Sequence, residues 1–225
     1  MTSFSLITTG HAQTLPQSGA VLLLGGWCDP LGQLVNRADI KLKIAKPYGL
    51  KKYEKDRDYA LCKKIKDDVF PHFCEILNFH LEKSFEERAW NIILGHWFFR
   101  MTSILINRYS SLRQCLDNYS VDQILALSHP DFNLGCEDTY TQILHFETHV
   151  WNSLLDGKIA SEAFDDEATV TLIKMEDFDN PEHEDLKQIA RKNKKKLNQT
   201  LRLAYGTLYK LLCNGHLAPK KIIVN

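Results

Sequence analysis

Residues Ala20 to Pro30 read AVLLLGGWCDP, and the fold class follows from them. Ala20 to Gly25 is a short apolar run that ends on glycine, the pattern of a buried strand, and a turn-rich piece around Pro16 to Gly19 precedes it. Gly25, Gly26, Trp27, Cys28, Asp29 and Pro30 then follow directly. In open α/β folds ligands bind at the carboxyl ends of strands, and glycine there lets backbone approach a ligand closely. Gly25, Gly26 and Trp27 are therefore candidate substrate-binding residues, with Trp27 offering a flat face to a sugar ring. The competing reading is a tight turn with Trp27 as a core plug. No GxGxxG and no P-loop is present, so the turn by itself implies no nucleotide.

Outward from that strand the chain alternates short apolar or β-branched runs with long helical patterns. Phe4 to Thr8 reads as a strand on the amino-terminal side. On the other side Ala38 to Ala45 (ADIKLKIA) alternates and predicts a strand with one wet face, closed by Pro47 and Gly49. Helical spacing of Leu61, Ile65, Val69, Phe73 and Ile76 predicts a helix from about Lys52 to Lys83, kinked or broken at Pro71. A second helix, from about Glu86 to Asp117, carries the stripe Trp90, Ile93, Leu94, Trp97, Met101, Ile104, Leu105, Leu112, Cys115 and Leu116. A weaker stripe on its far side predicts that it is covered twice. Val121 to Leu127 reads as a strand or a short helix. Asp138 to Leu155 reads as a helix, Ala168 to Met175 as a strand, Glu182 to Cys213 as a long helix ending at Asn214-Gly215, and Lys220 to Val224 as a strand. The expected architecture is α/β, a Rossmann-like parallel sheet with long, partly buried helices, in a single domain spanning 1–225. A last strand with no helix after it is the pattern of a sequence cut from something longer.

Composition narrows the function classes. The 225 residues carry 28 basic and 28 acidic side chains, so no whole-molecule field attracts nucleic acid or an anionic membrane. The first Lys or Arg is Arg37, and the early apolar run is too short for a signal core. The longest greasy stretch, Trp90 to Ile106, contains His96 and Arg100, which argues against a transmembrane segment. A cytoplasmic chain with reduced thiols is expected. The six cysteines form no CxxC and no zinc-type cluster and read as small apolar residues.

Arg108 falls between Leu105 and Leu112, at the centre of the main apolar stripe of its helix. An unpaired buried charge costs several kcal/mol, so the guanidinium must find a partner. Either it pairs with Glu147, which lies amid the stripe Ile143, Leu144, Val150, Trp151, Leu154 and Leu155, or one or both residues bind a carboxylate or phosphate of a ligand in a cleft. His145 and His149 share i, i+4 spacing but not the HExxH pattern, and they read as two wet histidines, with no metal site expected. Glu162, Asp165, Asp166 and Glu167 read as a solvated loop, and Lys192, Lys194, Lys195 and Lys196 lack the interleaved aromatics of a nucleic-acid surface. Spacing assembles no catalytic nucleophile.

Three segments together resemble a family of bacterial transferases acting on surface polysaccharides or related glycoconjugates. They are Leu6-Ile7-Thr8-Thr9 with VLLLGGWC (Val21 to Cys28); Arg88-Ala89-Trp90 with ILGHW (Ile93 to Trp97) and Asn107-Arg108-Tyr109; and the terminal Pro219 to Asn225. The resemblance implies a glycosyltransferase-B-like plan of two Rossmann-type halves, this chain being the amino-terminal, acceptor-side half. It implies a nucleotide-sugar donor bound mainly by the other half, a glycan or lipid-linked acceptor, and no bound cofactor. The sequence departs from the family pattern at Gly26, where an acidic residue is frequent, at His96, where proline is common, and at Asn107, where aspartate is common. If an acidic residue at Gly26 or Asn107 were catalytic, the replacement would put activity in doubt. Two alternatives stay open: a helix-rich, non-catalytic interaction or scaffold domain, and a hydrolase of similar plan that would need a nucleophile.

Overall fold

A computed structural model of the chain describes residues 3–130, 132, 144–146 and 148–175. The expected helix Glu182 to Cys213, the expected strand Lys220 to Val224, and Glu147 lie outside the described residues. Five parallel strands form one sheet: β1 (Phe4–Ile7), β2 (Gly19–Leu23), β3 (Ile40–Ile44), β4 (Val121–Ser128) and β5 (Thr169–Lys174). Their order is β3-β2-β1-β4-β5. The Rossmann-like α/β reading holds.

The side chains explain which strands lie inside. Leu6, Ile7, Val21, Leu22 and Leu23 are all buried, so β1 and β2 are covered on both faces, as an unbroken apolar run requires. The ambiguous segment after residue 120 is a strand, because Ile124, Leu125, Ala126 and Leu127 bury consecutively between β1 and β5. At one edge β3 keeps Lys41 and Lys43 in solvent, a charge pattern that discourages further strand pairing. Ile44 on the same strand is exposed too, so the expected alternation is only partly realised.

Two long helices, α1 (Lys52–Leu81) and α2 (Glu87–Asn118), connect β3 to β4 as a hairpin. Glu82 ends α1 in the left-handed region at φ 53° and starts the turn. The expected break at Pro71 does not occur; α1 runs through it. Proline inside a helix costs about 3 kcal/mol, whereas each fully buried phenylalanine returns roughly 1.5–3 kcal/mol. Phe70 and Phe73 flank Pro71 and pack on Phe98 of α2 with centroids 5.1 and 5.5 Å apart, and Phe73 also stacks on Trp97. Burial on the partner helix outweighs the lost hydrogen bond.

The helix expected at Asp138 to Leu155 is interrupted at Thr148, whose backbone is extended; residues 144–146 before it are helical, and residues 138–143 lie outside the described residues. Among the described residues α3 spans His149–Ala163, capped by Thr148, whose hydroxyl accepts from the Trp151 amide. The apolar stripe continues through Ile159 and Ala160, and that burial carries the helix eight residues beyond Leu155. Gly157 lets α3 lie directly on the sheet: a Cβ there would stand 2.8 Å from the Leu127 carbonyl oxygen and 3.0 Å from the Ala126 methyl.

Strand order fixes where a ligand can enter. From β1 to β3 the chain steps one way along the sheet, and from β3 through β4 to β5 it steps the other. Right-handed crossovers then put α2 and α3 on one face. Consistent with this, Tyr109 of α2 stacks on Phe164 at the end of α3, and Arg113 of α2 pairs with Glu167. The two directions diverge between β1 and β4, leaving a gap at their carboxyl ends. No helix among the described residues is long and apolar enough to cross a membrane.

Candidate functional site

A crevice of about 380 Å³ opens at that switch point. Thr8 and Thr9 leave β1 into its floor, Leu24 and Trp27 follow β2, and Lys46, Pro47 and Tyr48 follow β3. Asn107, Arg108 and Ser111 reach it from α2, and His149 and Asn152 from the first turn of α3. Among the described residues the lining contains two cations, Lys46 and Arg108, and no carboxylate. The amino end of α3, the positive end of its dipole, borders the same space through His149 and Asn152.

Arg108 is half-buried and reaches away from its buried neighbours Leu105 and Leu112. One guanidinium nitrogen donates to the Asn152 side-chain oxygen at 2.7 Å. Asn152 is itself fixed, because its amide donates to the carbonyls of Phe146 (2.8 Å) and Thr148 (2.9 Å). Among the described residues no carboxylate forms an ion pair with Arg108. A guanidinium held by a neutral, oriented partner keeps its full charge and presents a fork suited to an anion. Glu147, the alternative partner read from the sequence, lies outside the described residues.

The floor is tied together by hydroxyls. The Thr8 and Ser153 hydroxyls lie 3.3 Å apart, Ser153 Oγ accepts from the Leu127 amide at 3.1 Å, and Thr9 donates to the His149 carbonyl at 3.3 Å. These bonds join the ends of β1 and β4 to the start of α3. At the rim the Tyr48 hydroxyl donates to the Asp58 carboxylate and accepts from Arg57 at 2.7 Å, so its ring is held from behind. Burial pushes the Tyr48 phenol up from its usual range.

Of the residues read from the turn after β2, Trp27 lines the crevice with 46% of its surface exposed, so it is not a core plug. Gly25 is buried directly behind it, and a Cβ there would fall inside the Trp27 ring. Gly26 is exposed, in a 3-10 turn from Gly26 to Cys28, with open space around a Cβ, so nothing in the structure requires glycine there. Asp29 is occupied structurally: its two oxygens accept from the amides of Gln33 (2.8 Å) and Leu34 (3.0 Å). Cys28 is buried and donates to the Ile7 carbonyl, and burial pushes its thiol up to about 12. Cys62, Cys74 and Cys115 are likewise buried and free, whereas Cys136 and Cys213 lie outside the described residues.

The two histidines separate. His149 is exposed at the crevice, while His145 stacks on Trp151 at 6.4 Å rather than pointing away from the apolar stripe. No cluster of metal-ligating side chains occurs among the described residues. Glu167 is not a merely solvated acid, since Arg113 grips it with two bonds of 2.6 and 2.7 Å. His96 is exposed on α2, and Asn107 lies on the crevice wall.

Sequence reasoning did not find Thr8, Thr9, Lys46, Ser111 or Asn152 as lining residues, nor the importance of Asp156 beneath them. Asp156 is wholly buried, and neither carboxyl oxygen has a hydrogen-bond partner among the described residues. Burial pushes its pKa up to about 7, against the pull of the Arg108 charge. The available signal was spacing: His149, Asn152 and Asp156 fall at i, i+3 and i+7, one face of a helix.

No curated protein and no solved structure matches the chain. A family profile described as "LIC12162 family transferase" matches residues 4–221, nearly the whole sequence. With a Rossmann-like sheet and a cation-lined crevice at its switch point already in place, that match identifies the chain as a member of the LIC12162 family of transferases.

Proposed function

We propose that this chain is the acceptor-side domain of a glycosyltransferase-like transferase serving surface-polysaccharide or glycoconjugate biosynthesis, and that its crevice binds an anionic part of a sugar substrate. The observation that carries this reading is Arg108, held by neutral Asn152 at the mouth of a crevice whose described lining has cations and no carboxylate. Phosphate or carboxylate fits the fork of Arg108, and the exposed face of Trp27 suits a sugar ring. In a two-lobed plan the nucleotide-sugar donor would rest mainly on a second Rossmann-type half, with a glycan or lipid-linked acceptor on this one. Such a transferase works by positioning its substrates and stabilising a departing phosphate, so it needs few reactive side chains. Gly25 serves by leaving room for Trp27, and Gly26 forms the outer turn. Glu147, if it belongs to the site, would act from the segment before α3.

Calorimetric titration with nucleoside-diphosphate sugars, sugar phosphates and inorganic pyrophosphate tests the reading. Arg108→Gln should weaken binding of every anionic ligand at least about tenfold, roughly 1.4 kcal/mol, in a protein whose circular dichroism shows the fold retained. Trp27→Ala should weaken the sugar-bearing ligands and spare pyrophosphate. Equal affinity in the wild type and Arg108→Gln would overturn the assignment. The interaction-domain reading draws on exposed Phe79, Phe85, Ile92 and Ile93 near the turn between α1 and α2. It gains ground if the wild-type chain binds none of these ligands.

A further inference from the structure

Asp156 lies one helical turn beyond Asn152, on the face of α3 that looks toward Arg108 and the sheet. A wholly buried carboxyl whose two oxygens find no hydrogen-bond partner among the described residues is an expensive feature to keep. Arg108 does not relieve it by direct pairing: one guanidinium nitrogen donates to Asn152, and the described ion pairs do not include Arg108 with Asp156. The two still interact through space. Arg108 approaches from α2, and Cys28, in the turn after β2, feels both charges. Around α3 the strands offer Thr8, Ala126, Leu127 and Leu172, none of them titratable, and His149 lies two turns away at the crevice. Arg108 thus stands between the crevice on one side and a hidden carboxyl on the other.

We propose that Asp156 is the proton-binding counter-ion of the anion site, so that an anion arriving at Arg108 drives a proton onto Asp156 and binding is coupled to proton uptake. The inference rests on the crevice being an anion site, as argued above. Before the anion arrives, an ionised Asp156 is offset by the Arg108 charge. Once an anion shares that charge, two negative groups face one guanidinium in a poorly solvated region. Protonating the buried one removes the conflict. Asp156 touches no ligand in this account; it is a positioning residue that acts through Arg108. Because burial already holds its pKa near 7, the exchange falls in the neutral range.

Sulfate is the suitable probe, because it does not itself titrate near neutral pH. Calorimetry of the full chain with sulfate at pH 7, in buffers of different ionisation enthalpy, should show uptake of roughly half a proton per sulfate. Sulfate affinity should fall by up to about tenfold per pH unit above neutrality. Asp156→Asn should bind sulfate without proton uptake and with a flat pH profile, whereas His149→Gln should retain the uptake. An infrared difference spectrum of the wild type with and without sulfate needs no variant, and it should show a growing carboxylic-acid band. Binding with no buffer dependence, or uptake that follows His149 instead of Asp156, overturns the coupling and leaves the anion site intact. Failure of sulfate, pyrophosphate and sugar phosphates alike to bind overturns the anion-site reading itself, and the coupling falls with it.

Discussion

Replacing Asp156 by asparagine should stabilise the protein in alkali far more than in acid. The carboxyl titrates near 7 in the folded chain and near its ordinary 3.8 in the unfolded one. Between those values the folded state binds more protons than the unfolded state, so wild-type stability falls as pH rises from about 4 to about 7 and then levels off. A shift of about three units corresponds to roughly 4 kcal/mol at about 1.36 kcal/mol per unit. Linkage places about 2.5 kcal/mol of that between pH 5 and pH 8. Asparagine has nearly the same shape and does not titrate, so Asp156→Asn removes the pH-dependent part while leaving a buried polar group. The stability difference, variant minus wild type, should therefore grow by about 2.5 kcal/mol from pH 5 to pH 8. Urea denaturation followed by circular dichroism at several pH values measures it directly. Parallel pH profiles for the two proteins would mean that Asp156 finds a partner or solvent that lowers its pKa, and the physical reading of the buried carboxyl would fail.

Two further changes probe the frame around the site. Gly157→Ala should destabilise the fold even though alanine is the better helix former by about 1 kcal/mol, because the new methyl meets the Leu127 carbonyl and overpacking costs roughly 1–3 kcal/mol; a lower urea midpoint is expected, and a raised one would show that α3 can lift off β4 cheaply. The Arg113–Glu167 pair, partly exposed with side chains 26% and 43% accessible, should contribute no more than about 1 kcal/mol in a double-mutant cycle at pH 7. Arg113 holds the Glu167 carboxyl below its usual range, so that contribution is present above the unfolded carboxylate pKa and disappears as pH falls through the folded one. A coupling that persists unchanged in strong acid would contradict it.

Much of the frame was legible in the chain because it rests on local patterns. The unbroken run Val21 to Leu24 identified a strand buried on both faces, and the 3.6-residue stripe through Trp90, Met101, Leu105 and Leu112 marked the helix that packs on α1 and α3. Trp27 and Arg108 could be selected as unusual residues, one following a strand end and the other interrupting an apolar face. What local pattern cannot supply is the partner. Pro71 predicted a kink or a break because its hydrogen-bond loss is local; the helix stays continuous there, and the compensating rings of Phe98 and Trp97 come from another helix. The interruption at Thr148 was not legible because periodicity does not reveal where a new cap begins, and Thr148 supplies one through its extended backbone and its hydroxyl.

Within the site, the sequence by itself determined that a tryptophan follows a buried strand and that a guanidinium interrupts a greasy face. Only the tertiary structure decided that these two share a crevice, that Asn152 orients the guanidinium, and that Asp156 is buried one turn further along α3 with no hydrogen-bond partner among the described residues. The physical reason is the strand order. Putting β1 between β2 and β4 brings residues 8, 27, 108 and 152 to one edge of the sheet, although they stand far apart along the chain. Burial and charge at that edge depend on which elements converge there, and no stretch of sequence read in isolation contains that information.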